Sequence, residues 1–265
     1  MSILRRLLKR DKPKDELNHA LGMVMIEDAA PFDAGAAFQY LATHWSDVPG
    51  VIDVETQESV TGAKIPGGSL QVLHLPVPIP AGDLKGPVAL AWHWPDAAAA
   101  VGAHRSHLIV HAASSALDPI DVRLLHTKFL ASALAMGRGV GVYMGNALLV
   151  RSASDVRDDA ETASRENLPL LSWIGFNPVR EDGAISAYTT GLAAFGLLEL
   201  EVRRSKQDVP ALLGSLADLA NYQLTTGAVL RDGDTFGETE FDRTRVRYDK
   251  SEFIPDMTVA TLEIS

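Results

Sequence analysis

The order of predicted strands and helices is the feature of this sequence that most constrains its fold. Alternating or continuous apolar runs predict strands, and apolar residues spaced three or four apart predict helices. The two kinds of element are mixed along the chain without strict alternation. This order favours an α+β fold, with a mostly antiparallel sheet and helices packed on it. Two ferredoxin-like halves are one arrangement that gives such an order.

The strongest predicted helix covers residues 118–137. Asp118 is suited to cap it, Pro119 to start its first turn and Gly137 to end it. In contrast, the proline-rich segment 76–87 predicts a loop. The other predicted helices cover residues 31–45, 95–104 and 208–227, and the predicted strands cover residues 21–28, 50–58, 69–79, 106–114, 140–150, 168–181, 184–202, 242–250 and 257–264.

Two changes of composition suggest how the chain is divided. A basic leader, residues 1–20, precedes an α+β domain over residues 21–265, and the leader's first 14 residues hold six basic side chains against one acid. The segment 151–167 is polar and charged throughout, so it is the best candidate for a subdomain boundary. A surface helix is the alternative interpretation of that segment.

The leader has the pattern of a short amphipathic helix. Its apolar residues Ile3, Leu4, Leu7 and Leu8 share one helical face, and the basic residues lie on the other. Such a helix packs against the protein or a second subunit, or it contacts an anionic membrane surface through residues 1–10. Pro13 separates it from the first predicted strand, so we expect residues 1–15 to be removable without unfolding the rest.

Charge and cysteine content exclude several classes of function. The chain of 265 residues has a formal net charge of −10, so nucleic acid is not an expected partner. Cysteine is absent, which excludes disulfides, thiolate zinc sites and cysteine nucleophiles and fits a cytoplasmic location. No apolar run reaches the ~20 residues of a membrane-spanning helix, and the N-terminal residues lack the features of a secretory signal.

Four carboxylates are the weak candidates for a catalytic site. In "YTTGLAAFGLLELEVRRS", residues 188–205, Glu199 and Glu201 alternate with apolar residues, so a strand would place both on one side about 7 Å apart. That separation suits an inverting glycosidase. Asp232 and Asp234 in "DGDTFG" would extend the group to a hard-cation site. The alternative is structural, with two glutamates on a solvated strand face and the aspartates in a turn.

The other motifs do not support a metal or cofactor site. His104, His107 and His111 are close in sequence, but a strand holds the last two about 13 Å apart, too far for one zinc ion. The "TTG" motif lacks the Gly-x-Ser-x-Gly pattern of a hydrolase nucleophile. "GRGVG", residues 137–141, lacks the lysine and the strand–helix context of a phosphate-binding loop. We therefore predict no metal and no cofactor.

Several longer motifs resemble a known family. They are "AWHWPDAAAAVGAHRSHLIVHA", "GVGVYMGNALLV" and, most specifically, "YTTGLAAFGLLELEV" followed by a helix and "DGDTFG". Over about residues 22–240 the chain resembles the bacterial family catalogued only as domain of unknown function 4261. The resemblance implies a cytoplasmic protein, with some relatives near secretion or toxin–immunity clusters, and it supplies no catalytic residues.

These observations favour a protein-binding function over an enzymatic one. We expect a non-catalytic module that binds one protein partner, as an immunity or accessory factor of a toxin or secretion system. The alternative is a metal-assisted hydrolase that uses Glu199, Glu201, Asp232 and Asp234.

Overall fold

A computed structural model describes residues 17–48, 50–57, 59–236 and 244–264. The described chain forms two β-sheets with helices packed against them. The strands are β1 (Asn18–Ile26), β2 (Ile52–Gln57), β3 (Val60–Ile65), β4 (Gly68–Leu75), β5 (Ser106–Ser114), β6 (Gly139–Met144), β7 (Leu149–Ser152), β8 (Gly175–Glu181), β9 (Ala184–Thr190), β10 (Leu200–Ser205), β11 (Thr235–Phe236), β12 (Thr244–Lys250) and β13 (Thr258–Leu262). The helices are α1 (Ala34–His44), α2 (Ala81–Ala89), α3 (Ala97–Ala103), α4 (Pro119–Met136), α5 (Ala153–Thr162), α6 (Leu170–Trp173) and α7 (Val209–Thr226).

The first sheet has seven antiparallel strands in the order β2-β3-β4-β5-β1-β6-β7. Within it, β1, α1, β4, β5, α4 and β6 follow the βαββαβ chain order of a ferredoxin-like unit. The short strands β2 and β3 extend that unit at one edge, and β7 extends it at the other. We call residues 17–152 with α5 the first half of the molecule.

The second sheet has six strands in the order β11-β12-β13-β10-β9-β8. Its strands β10 and β13 pair in parallel, and the other pairs are antiparallel. Helix α7 connects β10 to the strands that follow, so this half lacks the βαββαβ order of the first. The prediction of an α+β fold with mostly antiparallel sheets is confirmed, and the ferredoxin-like order applies to the first half alone.

Helix α4 lies at the centre of the molecule. Its residues 122–134 are all buried, because the helix packs against β1, β5, α1 and α5. Its Leu124 belongs to the apolar core of the second half, and Thr127 accepts a hydrogen bond of 2.8 Å from the indole of Trp173 in α6. As predicted, the Asp118 side chain caps the helix by accepting from the backbone N–H groups of Ile120 and Asp121. The helix therefore contributes to the cores of both halves.

At 76–87 and 140–150 the local predictions need correction, whereas at 151–167 the helical interpretation is confirmed. The segment 76–87 is not all loop, because helix α2 begins at Ala81, with Pro87 buried inside it. The strand predicted over 140–150 is a hairpin of β6 and β7, joined by a 3-10 turn at Gly145–Ala147. The segment 151–167 contains helix α5, whose Val156 and Ala160 are buried against the first half.

The leader prediction overlaps the described chain only at its end. Residues 18–20 are the start of β1, with Ala20 buried, so the sheet begins before residue 21. The remaining leader, residues 1–16, lies outside the described residues. The predicted domain limits remain predictions.

Candidate functional site

Glu199 is a buried carboxylate that organises the turn before β10. Its side chain accepts hydrogen bonds from the Thr189 hydroxyl at 2.8 Å, the Gly191 N–H at 2.8 Å and the Ala193 N–H at 3.0 Å. Thr189 in turn accepts from the backbone N–H of Leu200 at 2.8 Å. The carboxylate therefore fixes the start of the 3-10 turn Leu192–Phe195, where backbone N–H groups point at a negative charge. Thr189 has a structural role in the same network.

Glu201 is fully buried and stabilises a different segment. Its carboxylate accepts from the guanidinium of Arg203 at 2.6 Å, from the backbone N–H of Glu252 at 3.2 Å and from the hydroxyl of Ser251. These contacts hold the loop between β12 and β13 against β10. Since β10 begins at Leu200, Glu199 precedes the strand, and the two carboxylates bind different groups.

Asp232 and Asp234 lie in the exposed turn that leads to β11. Asp232 accepts from the backbone N–H of Tyr248 at 3.0 Å, and Asp234 accepts from that of Arg231 at 2.7 Å. The Asp234 contact is that of a local turn, and the Asp232 contact ties this turn to β12. Glu199 and Glu201 are buried, whereas both aspartates are exposed. Across the described ranges, no group of three or more His, Asp or Glu side chains is placed to bind a metal ion.

Two of the three histidines singled out in the sequence, His104 and His107, bind backbone groups. His104 accepts from the Ile79 N–H at 2.8 Å through Nε2, and His107 Nδ1 lies 2.7 Å from the carbonyl of Val77. Burial lowers the pKa of His107 and of His111 below the usual value. His104 and His107 therefore help to hold the segment between β4 and α2.

An exposed apolar patch lies where the two sheets meet. Trp92, Leu148 and Leu171 line one small cleft, and their exposed fractions are 55%, 44% and 50%. Large apolar side chains this exposed are unremarkable when scattered singly. A group of them around one cleft is typical of a surface that another molecule covers. We call these three residues the apolar patch.

Two sheet edges form the walls beneath the apolar patch. Strand β7 is the last strand of the first sheet and β8 the last of the second, and residues of both line the cleft. The indole N–H of Trp92 donates to the carbonyl of Phe176 in β8 at 2.8 Å, and His93 Nε2 lies 3.1 Å from the carbonyl of Val150 in β7. The Trp92–His93 dipeptide thus bridges both edges while the Trp92 ring faces solvent.

Leu148 reaches the patch through an unfavourable backbone conformation. Its φ of 47° and ψ of 40° are left-handed, a region that residues with a Cβ rarely adopt. The conformation follows the 3-10 turn at Gly145–Ala147 and presents a branched apolar side chain to solvent. Strain of this kind persists where the surrounding fold enforces it and is frequent at functional sites.

The charge that lines the cleft is compensated. Arg151 in β7 is buried, and its guanidinium lies 3.7 Å from Asp155 and 3.4 Å from Asp159, both in α5. Asp159 also accepts a hydrogen bond of 2.6 Å from Ser172 in α6. These contacts join the halves beside the cleft and leave its walls apolar in character.

The family comparison addresses the second half of the chain. Residues 188–263 match the model of the family described as Domain of unknown function (DUF4261). The match starts at the "YTTG" motif and confirms the predicted family resemblance there, while the resemblance predicted for residues 22–187 remains a prediction. No curated protein matches the chain, and no solved structure matches it.

The DUF4261 match and the apolar patch lie in different parts of the chain. The matched region contains Glu199, Glu201, Asp232 and Asp234, whose contacts described above are structural. The three patch residues precede it. Sequence reasoning missed the patch, although the "AWHW" motif, with two tryptophans in a stretch assigned to no helix or strand, was the available signal.

Proposed function

We propose that this protein is a non-catalytic module that binds a protein partner through the apolar patch. The observation that carries the proposal is the exposure of Trp92, Leu148 and Leu171 around one cleft. Tryptophan is enriched at the energetic centres of protein interfaces, because it buries a large area and has few rotatable bonds. The ring of Trp92 is also held in place by its hydrogen bond to Phe176, so little ordering is needed on binding.

The partner we propose has an apolar anchor surrounded by basic side chains. Without residues 1–14, the chain retains 18 basic and 33 acidic residues, a net charge of −15. Such a charge accelerates association with a basic surface and disfavours acidic ones. The family resemblance adds the expectation of an immunity or accessory factor, for which a basic toxin domain is one such partner.

The hydrolase alternative has no comparable support. The Glu199 carboxylate is committed to three internal hydrogen bonds, and Glu201 to a buried ion pair and two further donors. Among the described residues, the apolar cleft is lined by none of the four carboxylates. We therefore propose binding and not hydrolysis.

A matched pair of charge substitutions tests the proposal. Leu171→Glu places a carboxylate in the patch, whereas Val229→Glu places one on an apolar side chain that is 61% exposed elsewhere. Both variants should melt close to the wild-type temperature. Affinity capture from the source organism's lysate should recover one partner in stoichiometric yield with wild type and Val229→Glu, and lose it with Leu171→Glu.

Two outcomes would refute the proposal. One is that folded wild-type bait recovers no stoichiometric partner under low-salt conditions. The other is that Leu171→Glu and Val229→Glu retain the partner equally, which would place its contact elsewhere.

A further inference from the structure

The chain between β4 and β5, residues 76–105, contains helices α2 and α3 and supplies Trp92 to the apolar patch. We call residues 76–105 the covering segment. Its buried side chains Ile79, Leu84 and Val101 pack on the side of the first sheet that faces away from α4. The apolar cluster on that side is smaller than the one beneath α4, so polar contacts contribute more to holding the segment in place.

Two histidines bind the backbone near the start of the covering segment. The carbonyl of Val77 accepts a hydrogen bond of 2.7 Å from His107 Nδ1 in β5, and the Ile79 N–H donates to His104 Nε2 at 2.8 Å. His104 lies near the end of the covering segment itself, so its contact with Ile79 joins the two ends. Both rings are buried.

Hydrogen-bond geometry requires His104 to be neutral. Its Nδ1 lies within bonding distance of the Val101 carbonyl, which can only accept, so the ring proton is on Nδ1. Its Nε2 is then the unprotonated acceptor for the Ile79 N–H. A second proton on the ring would place two donors face to face. It would break the contact between the ends of the segment and leave a buried N–H without an acceptor.

His107 adds an electrostatic effect to this geometric one. Burial lowers the pKa of His107, the Val77 carbonyl raises it, and the neighbouring His104 and His74 lower it further. A second proton on His107 would retain the contact with Val77, but it would place a charge in the buried region that contains His104. Protonation of either ring therefore disfavours the closed position of the covering segment.

The charges around the two histidines do not supply a buried counter-ion. On β4, burial lowers the pKa of His74, whose Nε2 has no partner, while Asp28 after β1 raises it. On β6, Tyr143 has a pKa raised by burial. Among the described residues of the first half no carboxylate is buried. The charged groups on the other neighbouring elements are all exposed: Glu27, Asp83, Lys85, Asp96 and Arg105.

We propose that the covering segment is a pH-sensitive element, which opens from the first sheet when His104 and His107 are protonated. Opening would remove Trp92 from the apolar patch at acidic pH. This consequence for partner binding rests on the proposed function, whereas the opening itself does not. The direction follows from proton binding, because histidines released into water regain an ordinary pKa of about 6.5. The open state then binds more protons than the closed state as the pH falls below that value.

Hydrogen exchange of the full-length protein tests the proposal. Each histidine that stays neutral in the closed state makes opening about 25-fold more favourable between pH 7 and pH 5. We therefore expect protection factors over residues 77–91 to fall at least about ten-fold more over this range than those of α7 in the second half. A protection factor compares each rate with that of an unfolded chain at the same pH, so it removes the intrinsic pH dependence of exchange.

A double variant and a matched control assign the effect to the two rings. His104→Gln with His107→Gln supplies amides that donate and accept hydrogen bonds but do not titrate. The fall in protection should be at least about five-fold smaller in this variant, with the remainder due to His93, whose pKa is also lowered by burial. His126→Gln removes a buried histidine on the other side of the sheet and should leave the wild-type fall intact.

Protection of residues 77–91 that does not change with pH in wild type would overturn the proposal. An equal fall in wild type and the double variant would also overturn it. If the double variant does not fold, NMR of the imidazole nitrogens in wild type gives the decision. Protonation of His104 that coincides with loss of protection at the Ile79 amide would support the proposal. A His104 ring that stays neutral down to pH 5, or one that is protonated while the Ile79 amide stays protected, would refute it.

Discussion

The two halves of the molecule bury polar side chains in different ways. In the first half, three of the buried basic side chains, Arg123, His126 and Lys128, lie on one helix, α4. In the second half, the glutamates 199 and 201 are buried at the start of β10. The three groups on α4 are basic and the two glutamates are acidic, and each set offsets the cost of removal from water by a different means.

The basic groups of α4 are accommodated by weak or flexible partners. Burial lowers the pKa of Arg123 to about 10, and its guanidinium lies over the Phe195 ring at 4.4 Å. Burial lowers the pKa of His126 to about 3, so this side chain is neutral at pH 7. Lys128 reaches the exposed Asp47 with its ammonium group. Helix α4 therefore accommodates its basic side chains by neutralisation, by an aromatic partner or by extension toward the surface.

The acidic groups of the second half are instead satisfied by fixed donors. Glu199 accepts from two backbone N–H groups and a hydroxyl, and Glu201 accepts from Arg203, Ser251 and the backbone of Glu252. Backbone donors cannot move away when their acceptor is removed. We therefore expect substitutions at these glutamates to lower the free energy of unfolding more than substitutions on α4.

The largest expected effect is that of Glu199→Ala. It would leave the Gly191 and Ala193 N–H groups and the Thr189 hydroxyl without their acceptor inside the protein, so we expect a loss of about 3–5 kcal/mol in the free energy of unfolding. Glu199→Gln retains one acceptor oxygen and should lose about half as much. Urea denaturation of the three proteins measures both values. Near-equal stability of wild type and Glu199→Ala would show that the three donors to Glu199 contribute little to the stability of the second half.

The next effect is the pH dependence contributed by His126. Its folded pKa of about 3 lies below the ordinary unfolded value of about 6.5, so between these values the unfolded chain binds a proton that the folded chain does not. Its contribution to stability is complete above pH 6.5 and is lost as the pH falls toward 3, by a few kcal/mol. His126→Gln should flatten this part of the stability–pH curve.

Other groups also titrate in this range, so the measurement is the difference between two curves. Urea denaturation at pH 7, 6, 5 and 4 should give a smaller slope for His126→Gln than for wild type. Gln39→Ala, at an exposed position without a titratable group, is the control and should leave the slope unchanged. A wild-type slope in His126→Gln would mean that α4 buries this histidine without a cost in proton binding.

The contrast between the halves also separates what the sequence could predict from what it could not. Helices α4 and α7 were predictable because their signals are local: Asp118 and Asp208 cap them, and Gly227 ends α7 in a left-handed conformation. Helix α2 was missed because its prolines indicate a loop, whereas Pro80 precedes the helix and Pro87 is tolerated within it. Local rules assign an element well where the element's own residues determine it.

The functional features depend on contacts between distant residues, and local rules fail there. Glu199 is an intermediate case, because its three donors lie only six to ten residues before it but converge on its carboxylate through the turn at Leu192–Phe195. The exposure of Trp92 depends on β7 and β8, which lie at least 57 residues from it and become neighbours only when the two sheets meet. The "AWHW" motif could be noticed in the sequence, but its position where the two sheets meet could not be inferred.

The third effect concerns the contact between the halves at Gly191. This glycine has a φ of 115°, and a Cβ there would lie 2.5 Å from the Trp173 carbonyl oxygen and 3.0 Å from the Cβ of Ala147 in the first half. Gly191→Ala should therefore cost about 2–4 kcal/mol. Gly196→Ala, at a φ of 75° with open space around the added carbon, should cost about 1 kcal/mol of backbone strain.

Thermal and urea denaturation of the two glycine variants measure the difference. A single cooperative transition in Gly191→Ala, shifted well below that of Gly196→Ala, would show that the halves unfold together. Two separate transitions in Gly191→Ala would show instead that this contact is what couples them. Equal costs for both variants would contradict the close approach of the halves at this glycine.

The smallest effect is expected at Leu148, where stability and binding should change in opposite directions. Its left-handed conformation is unfavourable for a branched side chain and more acceptable for asparagine. Leu148→Asn should therefore leave the free energy of unfolding unchanged or raise it by less than about 1 kcal/mol, while capture of the proposed partner falls. Arg204→Asn is the matched control, since Arg204 has a similar φ of 50° in the second half and lies outside the apolar patch. Arg204→Asn should leave capture of the partner intact.

A leucine in a strained position that does not stabilise the fold has a reason to be there only if another molecule contacts it. Full retention of the partner by Leu148→Asn would remove that reason and would exclude Leu148 from the binding surface.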